Sequence, residues 1–160
     1  MTMHKVLGTM VILGISAVLM APADCGPTGT PGMGAMSATI DGTNWNAGNC
    51  NINEIATEEI ITITGADAAG ATMVCSLLGI DGETTLDLAD DSAPGGNCSW
   101  TDEDDIGGSF GSISGELDIS TWNDELLEGT FEFTGEDTEG NTVEVTNGEF
   151  TCEWGINPLG

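Results

Sequence analysis

The chain from Ser37 onward is a succession of short β-like runs separated by glycine, asparagine and aspartate. Alternation places Phe131 and Phe133 of the run GTFEFTG on one face of a strand. No window of this region sustains the 3.6-residue periodicity of an amphipathic helix. The pattern predicts an all-β domain, in the form of an antiparallel β-sandwich of about seven to nine short strands.

Two Asp-Gly pairs predict tight turns between strands. Asp41-Gly42 stands within ATIDGTNWNA, and Asp81-Gly82 stands within ATMVCSLLGIDGETTLDLA. A type I′ turn needs positive φ at both central residues, which Asp and Gly tolerate. Each pair therefore predicts a β-hairpin.

Side-chain alternation also fixes expected faces in two later runs. In GSISGELDIS, period-2 alternation predicts that Ile113, Leu117 and Ile119 share a buried face. In TVEVTNGEFTCEW, an unbroken strand would put Val145 and Phe150 on opposite faces. A bulge at Asn147-Gly148 would shift the parity by one residue, and a tight hairpin at the same pair is the alternative.

The N-terminus has the three parts of a secretory signal: Lys5 in a short positive region, an apolar run from 6 to 20, and the A-x-A site Ala21–Ala23. The apolar run of 15 residues is shorter than the about 20 that a membrane span needs. We therefore expect export, with an uncleaved N-terminal anchor as the alternative. The expected organisation is a signal peptide over 1–23, a flexible tether over 24–36, a folded domain over 37–156 and a tail over 157–160.

Cys25 stands just past the signal, where a bacterial lipoprotein carries its lipid. Asp24 favours plain secretion after Ala23, whereas the Gly/Pro-rich segment that follows Cys25 suits a tether behind a membrane anchor. Five cysteines in an oxidising compartment leave one unpaired, and a lipid on Cys25 would remove the odd one. The remaining four are predicted to form two disulfides, with the pairing left open: Cys50, Cys75, Cys98 and Cys152.

Charge limits the functions that the chain can perform. The sequence has 27 Asp and Glu against one Lys and no Arg, a formal charge of −26. Its only cation and its only histidine, Lys5 and His4, lie in the predicted signal. The mature chain therefore lacks a His for a catalytic triad, and it should be repelled by nucleic acid and by anionic membrane surfaces. We expect a protein that is not an enzyme and that meets the membrane only through a lipid on Cys25.

An acidic run, DEDD at 102–105, provides candidate calcium ligands in Asp102, Asp104 and Asp105, because carboxylates are the oxygen ligands that Ca²⁺ prefers. Their spacing fits no EF-hand loop. A solvated acidic surface is the alternative, and no other cofactor is expected.

The four tryptophans divide by context. Trp45 and Trp154 fall in alternating strands and are predicted to pack in the core. Trp100 and Trp122 flank polar loops, so they are the candidates for exposure and for ligand binding, for instance by stacking on a sugar ring.

Three segments, SATIDGTNWNA, ISGELDIS and LLEGTFEFTGEDTEGNTVEVTNGEF, together resemble an uncharacterised bacterial family of small secreted lipoproteins, a domain of unknown function with IDGxxW, GTFxF and TNGxF motifs. The resemblance implies an exported β-sandwich behind a lipidated cysteine and supplies no catalytic residues.

The expected function is an exported, envelope-anchored, non-enzymatic β-sandwich protein with a structural or binding role. Its partner would be an unidentified ligand, such as a carbohydrate or another envelope protein. Two alternatives stay open: a carbohydrate-binding module that uses exposed tryptophans, and a glycoside hydrolase that uses paired carboxylates.

Overall fold

The structure is a computed structural model that describes residues 34–55, 59–89, 92–103 and 108–154. The predicted signal peptide, Cys25, most of the tether and the C-terminal tail lie outside the described residues. Strands begin at Ala35, two residues before the expected start of the domain. The described strands, ten in number, are β1 (Ala35–Ile40), β2 (Thr43–Ala47), β3 (Asn51–Ile55), β4 (Ile60–Ala66), β5 (Thr72–Leu78), β6 (Thr84–Asp87), β7 (Gly95–Thr101), β8 (Phe110–Trp122), β9 (Leu126–Glu136) and β10 (Thr142–Glu153).

The all-β prediction is confirmed, because the described residues contain strands and turns but no helix. The strand pairing does not separate into the two sheets of the expected sandwich. It forms a single sheet in which β3, β4, β5, β7, β8, β9 and β10 close on themselves in a barrel-like, seven-stranded ring. β1 and β2 extend the sheet from β10, and β6 pairs along β8. No helix in the described ranges is long and apolar enough to cross a membrane.

The two Asp-Gly turns have opposite outcomes. Asp41 and Gly42 have φ of 46° and 79° and join β1 to β2 with Ile40 opposite Thr43, so the first hairpin is confirmed. The prediction of the second hairpin is wrong, because β5 pairs with β4 and β7 while β6 pairs with β8. The Asp81-Gly82 segment therefore connects β5 to a strand that pairs with β8 and not back with β5.

The register shift in β10 is a bulge, as one of the two interpretations predicted. β10 runs unbroken from Thr142 to Glu153, and between Val145 and Gly148 it has one residue more than β9. The buried positions accordingly change from odd to even numbers along the strand. Asn147 has a φ of 50°, a left-handed conformation that Asn tolerates better than most residues.

A second bulge, in β8, makes one expected face wrong. Leu117 and Ile119 are buried as expected, but Ile113 is 50% exposed. The pairing of β8 with β9 shifts between Ser112 and Ser114, so Ile113 is the extra residue and turns outward. Ser112 faces the interior instead, and its buried hydroxyl is fully used: it accepts hydrogen bonds from Asn97 Nδ2 and the Cys98 amide and donates one to the Leu88 carbonyl, at 3.0, 3.1 and 2.7 Å.

The ring encloses one hydrophobic core made from the inward faces of the strands. Phe131 is buried in it, with the centroids of the Phe133 and Phe150 rings 6.5 and 6.4 Å from its own. The largest fully buried side chains other than cysteines belong to the same core: Met36, Ile63, Met73, Leu77, Leu88, Leu117, Ile119, Leu127 and Val145.

Both disulfides predicted among the four domain cysteines are present, and the structure fixes the pairing. Cys75 and Cys98 are directly opposite on β5 and β7. Cys50, just before β3, is bonded to Cys152 of β10. The second bond lies at the weakest junction of the ring, where β3 and β10 pair in parallel through a single residue pair.

Replacing Gly148 by alanine should destabilise the fold, because a Cβ at this position would lie 2.4 Å from the Phe131 carbonyl oxygen and 2.6 Å from its ring. A clash with backbone has no cheap relief, so we expect a loss of about 2 kcal/mol in the free energy of unfolding. Chemical denaturation measures it. The matched control is Gly111→Ala, also in a strand but with nothing within 4 Å of the added Cβ. Equal stability of the two variants would contradict the bulge packing.

Removing the disulfides in pairs should have unequal effects. The Cys50–Cys152 bond spans 102 residues and the Cys75–Cys98 bond spans 23. In the chain-entropy account their loss costs about 4.7 and about 3.4 kcal/mol, respectively. Denaturation of the two double Cys→Ala variants tests the order, and a larger loss for the Cys75/Cys98 variant would contradict it.

Candidate functional site

The tryptophan predicted to be an exposed ligand contact at β7 is buried. Trp100 is 6% exposed, as is Trp45, and the two indoles pack edge to face with centroids 5.2 Å apart. The expectation of an exposed Trp100 is therefore wrong, whereas the core position of Trp45 is confirmed. Trp100 alternates inward with Cys98 along β7, and that inward face outweighs the polar loop that follows it.

The other two tryptophans form a second pair where β8 and β10 end. Trp122 and Trp154 are both partly exposed, with centroids 5.6 Å apart and rings crossing at 71°. Both also pack against the core, as predicted for Trp154. Trp122 thus keeps part of the exposure that the sequence suggested.

The predicted calcium ligands receive little support from the described residues. Asp102 is exposed, and its Oδ1 accepts a hydrogen bond from the Glu103 amide at 2.7 Å. Asp104 and Asp105 lie outside the described ranges. Within those ranges no group of three or more His, Cys, Asp or Glu side chains is placed to hold a metal ion. The calcium site stays an untested prediction.

A cleft of about 440 Å³ lies where several strands end on one side of the molecule. Its lining comes from the β1–β2 turn, the β4–β5 loop, the end of β7 and the starts of β8 and β10. The lining residues are Ile40, Asp41, Thr43, Asn44, Trp45, Asp67, Ala71, Trp100, Asp102, Glu103, Phe110 and Val143. We refer to this feature as the end cleft.

The end cleft has an apolar floor. Trp45, Trp100, Ala71 and Val143 are all buried core residues, so each presents only a small part of its surface to the cleft. Phe110 is partly buried and packs against the same core. The floor is thus the top of the hydrophobic core, which reaches the cleft where the strands stop and is only slightly exposed there.

The rim of the end cleft is acidic, with Asp41, Asp67, Asp102 and Glu103. Asp67 Oδ1 accepts three backbone N–H groups, from residues 69, 70 and 71, at 2.9, 2.8 and 2.9 Å. Asp41 Oδ1 accepts the Glu144 amide at 2.9 Å. Together with the bond from the Glu103 amide to Asp102, these contacts hold three of the four carboxylates in fixed positions.

The β9–β10 loop at the same end repeats the arrangement of Asp67. Asp137 accepts the Asn141 side-chain amide at 2.7 Å and the backbone amides of Glu139 and Asn141. The hydrogen bond from the Asn141 side chain is the main reason that the pKa of Asp137 lies below its usual range. Because the folded pKa is the lower one, this carboxylate favours the fold at neutral pH, and the contribution disappears as the pH falls through that pKa.

Sequence reasoning did not find the end cleft. It identified Trp100 and Asp102 separately, as an exposed aromatic residue and a metal ligand, but had no reason to bring them together with Asp41 and Asp67. The available signal was an Asp directly after a β run, at Ile40-Asp41 and Ala66-Asp67, because Asp at such positions often caps the following turn.

The fold and the site together define an all-β domain with one closed sheet and an acidic cleft over the end of its core. The chain belongs to the family described as Domain of unknown function (DUF6252), whose model matches residues 32–152. This confirms the resemblance to an uncharacterised family. No curated protein and no solved structure matches the chain.

Proposed function

We propose that the protein is an exported, non-enzymatic binding domain that takes a small ligand in the end cleft and is held to the cell envelope by a lipid on Cys25. The observation that carries the binding role is the end cleft itself, a concave site of about 440 Å³ with an apolar floor and oriented polar groups around it. Small-molecule sites generally have these properties and volumes of about 300–1,000 Å³.

Export is supported by the two disulfides. Cys50–Cys152 and Cys75–Cys98 use all four cysteines of the domain. Such bonds persist in oxidising compartments and are rare in a reducing cytosol. Together with the signal-like N-terminus they favour a location outside the cytoplasm.

A non-catalytic role is supported by the composition of the part of the chain that the structure describes. It contains no His, Lys or Arg, and its four cysteines are in disulfides rather than free thiols. The usual partners of a nucleophilic Ser or Cys, a His or a Lys, are therefore not available there. Binding requires only the shape and the polar groups that the cleft provides.

Carbohydrate binding is a second candidate at a different place. Trp122 is partly exposed and packs edge to face on Trp154, which leaves part of an aromatic surface at the end of β8 for contact with a sugar ring. A sugar bound there would move the indole signals of Trp122 and Trp154, whereas a ligand in the end cleft would move those of Trp45 and Trp100.

Ligand binding at the end cleft is tested by a small-fragment screen read by ¹H–¹⁵N NMR. Ligands should shift the indole N–H signals of Trp45 and Trp100. Asn44→Trp, which places a large ring on the cleft lining, should abolish the shifts. Its matched control is Asn46→Trp, on the same strand and equally exposed but outside the lining, which should keep them. Ligands that bind equally well to both variants would overturn the assignment.

The envelope anchor is tested by the intact mass of the protein from its native membrane. We expect a chain that begins at Cys25 and carries added acyl groups. A chain that begins at Asp24 would exclude the anchor and leave secretion. Cys25→Ala should release the protein into the soluble fraction without changing its fold, because Cys25 precedes the first strand by ten residues.

A further inference from the structure

We infer that the end cleft is selective for a small organic cation, an ammonium group carried on an apolar body. This inference rests on the proposed binding function and names its ligand class. It stands on the combination of an apolar floor, which fits a hydrocarbon or aromatic body, with four carboxylates at the rim, which fit a positive head group.

The charge around the end cleft is uncompensated within the described residues. They contain no Lys, Arg or His, so the rim carboxylates have no cationic side chain to pair with there. Clefts lined by charge of one sign with low-dielectric walls concentrate the field and attract ions of the opposite sign. The buried aromatic and aliphatic floor is such a wall.

The rim is also organised before a ligand arrives. Backbone amides hold one oxygen each of Asp41, Asp67 and Asp102, at 2.7–2.9 Å. Groups that are already fixed lose little conformational freedom on binding, which favours affinity. The β1–β2 hairpin that carries Asp41 is itself tied to β10, because the Asp41 amide donates to the Glu144 carbonyl at 2.9 Å.

Other ligand classes fit this cleft less well. Stacking on a sugar needs a whole aromatic face, but Trp45 and Trp100 pack edge to face on each other and are each 6% exposed, so they offer only part of their edges to a ligand. An anion would meet four carboxylates of its own sign. A divalent metal needs several ligands converging on one point, and the described residues provide no such group of three. Charges spread around the mouth of an apolar cleft instead match a cation with a body behind it.

The test uses the full mature chain and three probes that share one aromatic body: 2-phenylethylammonium, 2-phenylethanol and phenylacetate. NMR titration of the Trp45 and Trp100 indole signals measures each affinity. We expect the ammonium to bind about tenfold more tightly than the alcohol and the carboxylate to bind more weakly than both. Raising the salt concentration from low to about 0.5 M should weaken the binding of the ammonium probe only, since salt screens the attraction between charges.

A pair of matched double variants identifies the rim as the origin of the selectivity. Asp102→Asn with Glu103→Gln removes two rim charges. We expect this variant to bind 2-phenylethylammonium about fivefold more weakly and 2-phenylethanol with unchanged affinity. The control, Asp124→Asn with Glu125→Gln, removes the same two charges at the β8–β9 turn, at the other end of β8, and should leave both affinities unchanged. Both sites are exposed turns, so neither variant threatens the core.

The outcomes separate this inference from the proposed function. If the alcohol binds the end cleft as tightly as the ammonium, or if the rim variant does not differ from the control, the cleft binds ligands but is not selective for cations, and the inference is overturned. If no probe and no library fragment shifts the Trp45 and Trp100 signals, the binding function itself fails, and the inference fails with it.

Discussion

The bond between Cys50 and Cys152 is the contact on which the closed sheet depends. Six of the seven junctions in the ring are antiparallel, but β3 and β10 meet in parallel through the single pair Asn51–Glu153. One residue pair adds little cross-strand stabilisation, and parallel pairing is the less stable kind. The disulfide makes this junction covalent one residue away, joining the first strand of the ring to the last across 102 residues of chain. Without it, one parallel residue pair would be the whole of the strand pairing that closes the ring between β3 and β10.

The second short junction, between β7 and β8, has two residue pairs and is strengthened differently. The bulge at Ile113 turns the Ser112 hydroxyl inward, where it joins β8 to the Cys98 amide of β7 and to the Leu88 carbonyl beyond β6. Toward the end cleft the two strands stop, with Trp100 opposite Phe110 as the last pair. The apolar floor and the acidic rim lie at this end, where the strands stop and the loops after them supply the carboxylates.

The parts of the fold that the sequence predicts are those written in local patterns. The parity change from Val145 to Phe150 around Asn147-Gly148 identifies the β10 bulge, because Asn and Gly are the residues that such a bulge needs. The Ile113 bulge has no such mark before Gly115, so simple alternation places Ile113 on the wrong face. Ring closure and the end cleft depend on which strands pair at long range, and strand patterns alone do not encode that choice. The same limit made Asp81-Gly82 resemble a hairpin, whereas the alternation of Trp100 with Cys98 along β7 was a local signal that Trp100 is buried.

The acidity of the chain gives the closed sheet a further physical role. Glu116 and Glu132 are exposed and directly opposite on β8 and β9, and like charges in this arrangement disfavour pairing. With no cationic side chain in the described ranges, such repulsion is relieved only by counterions from solution. Two covalent cross-links and a continuous ring of strands oppose it without neutralising it. The carboxylates can then remain charged and unpaired on the surface, and at the end cleft that is the condition for attracting a cation.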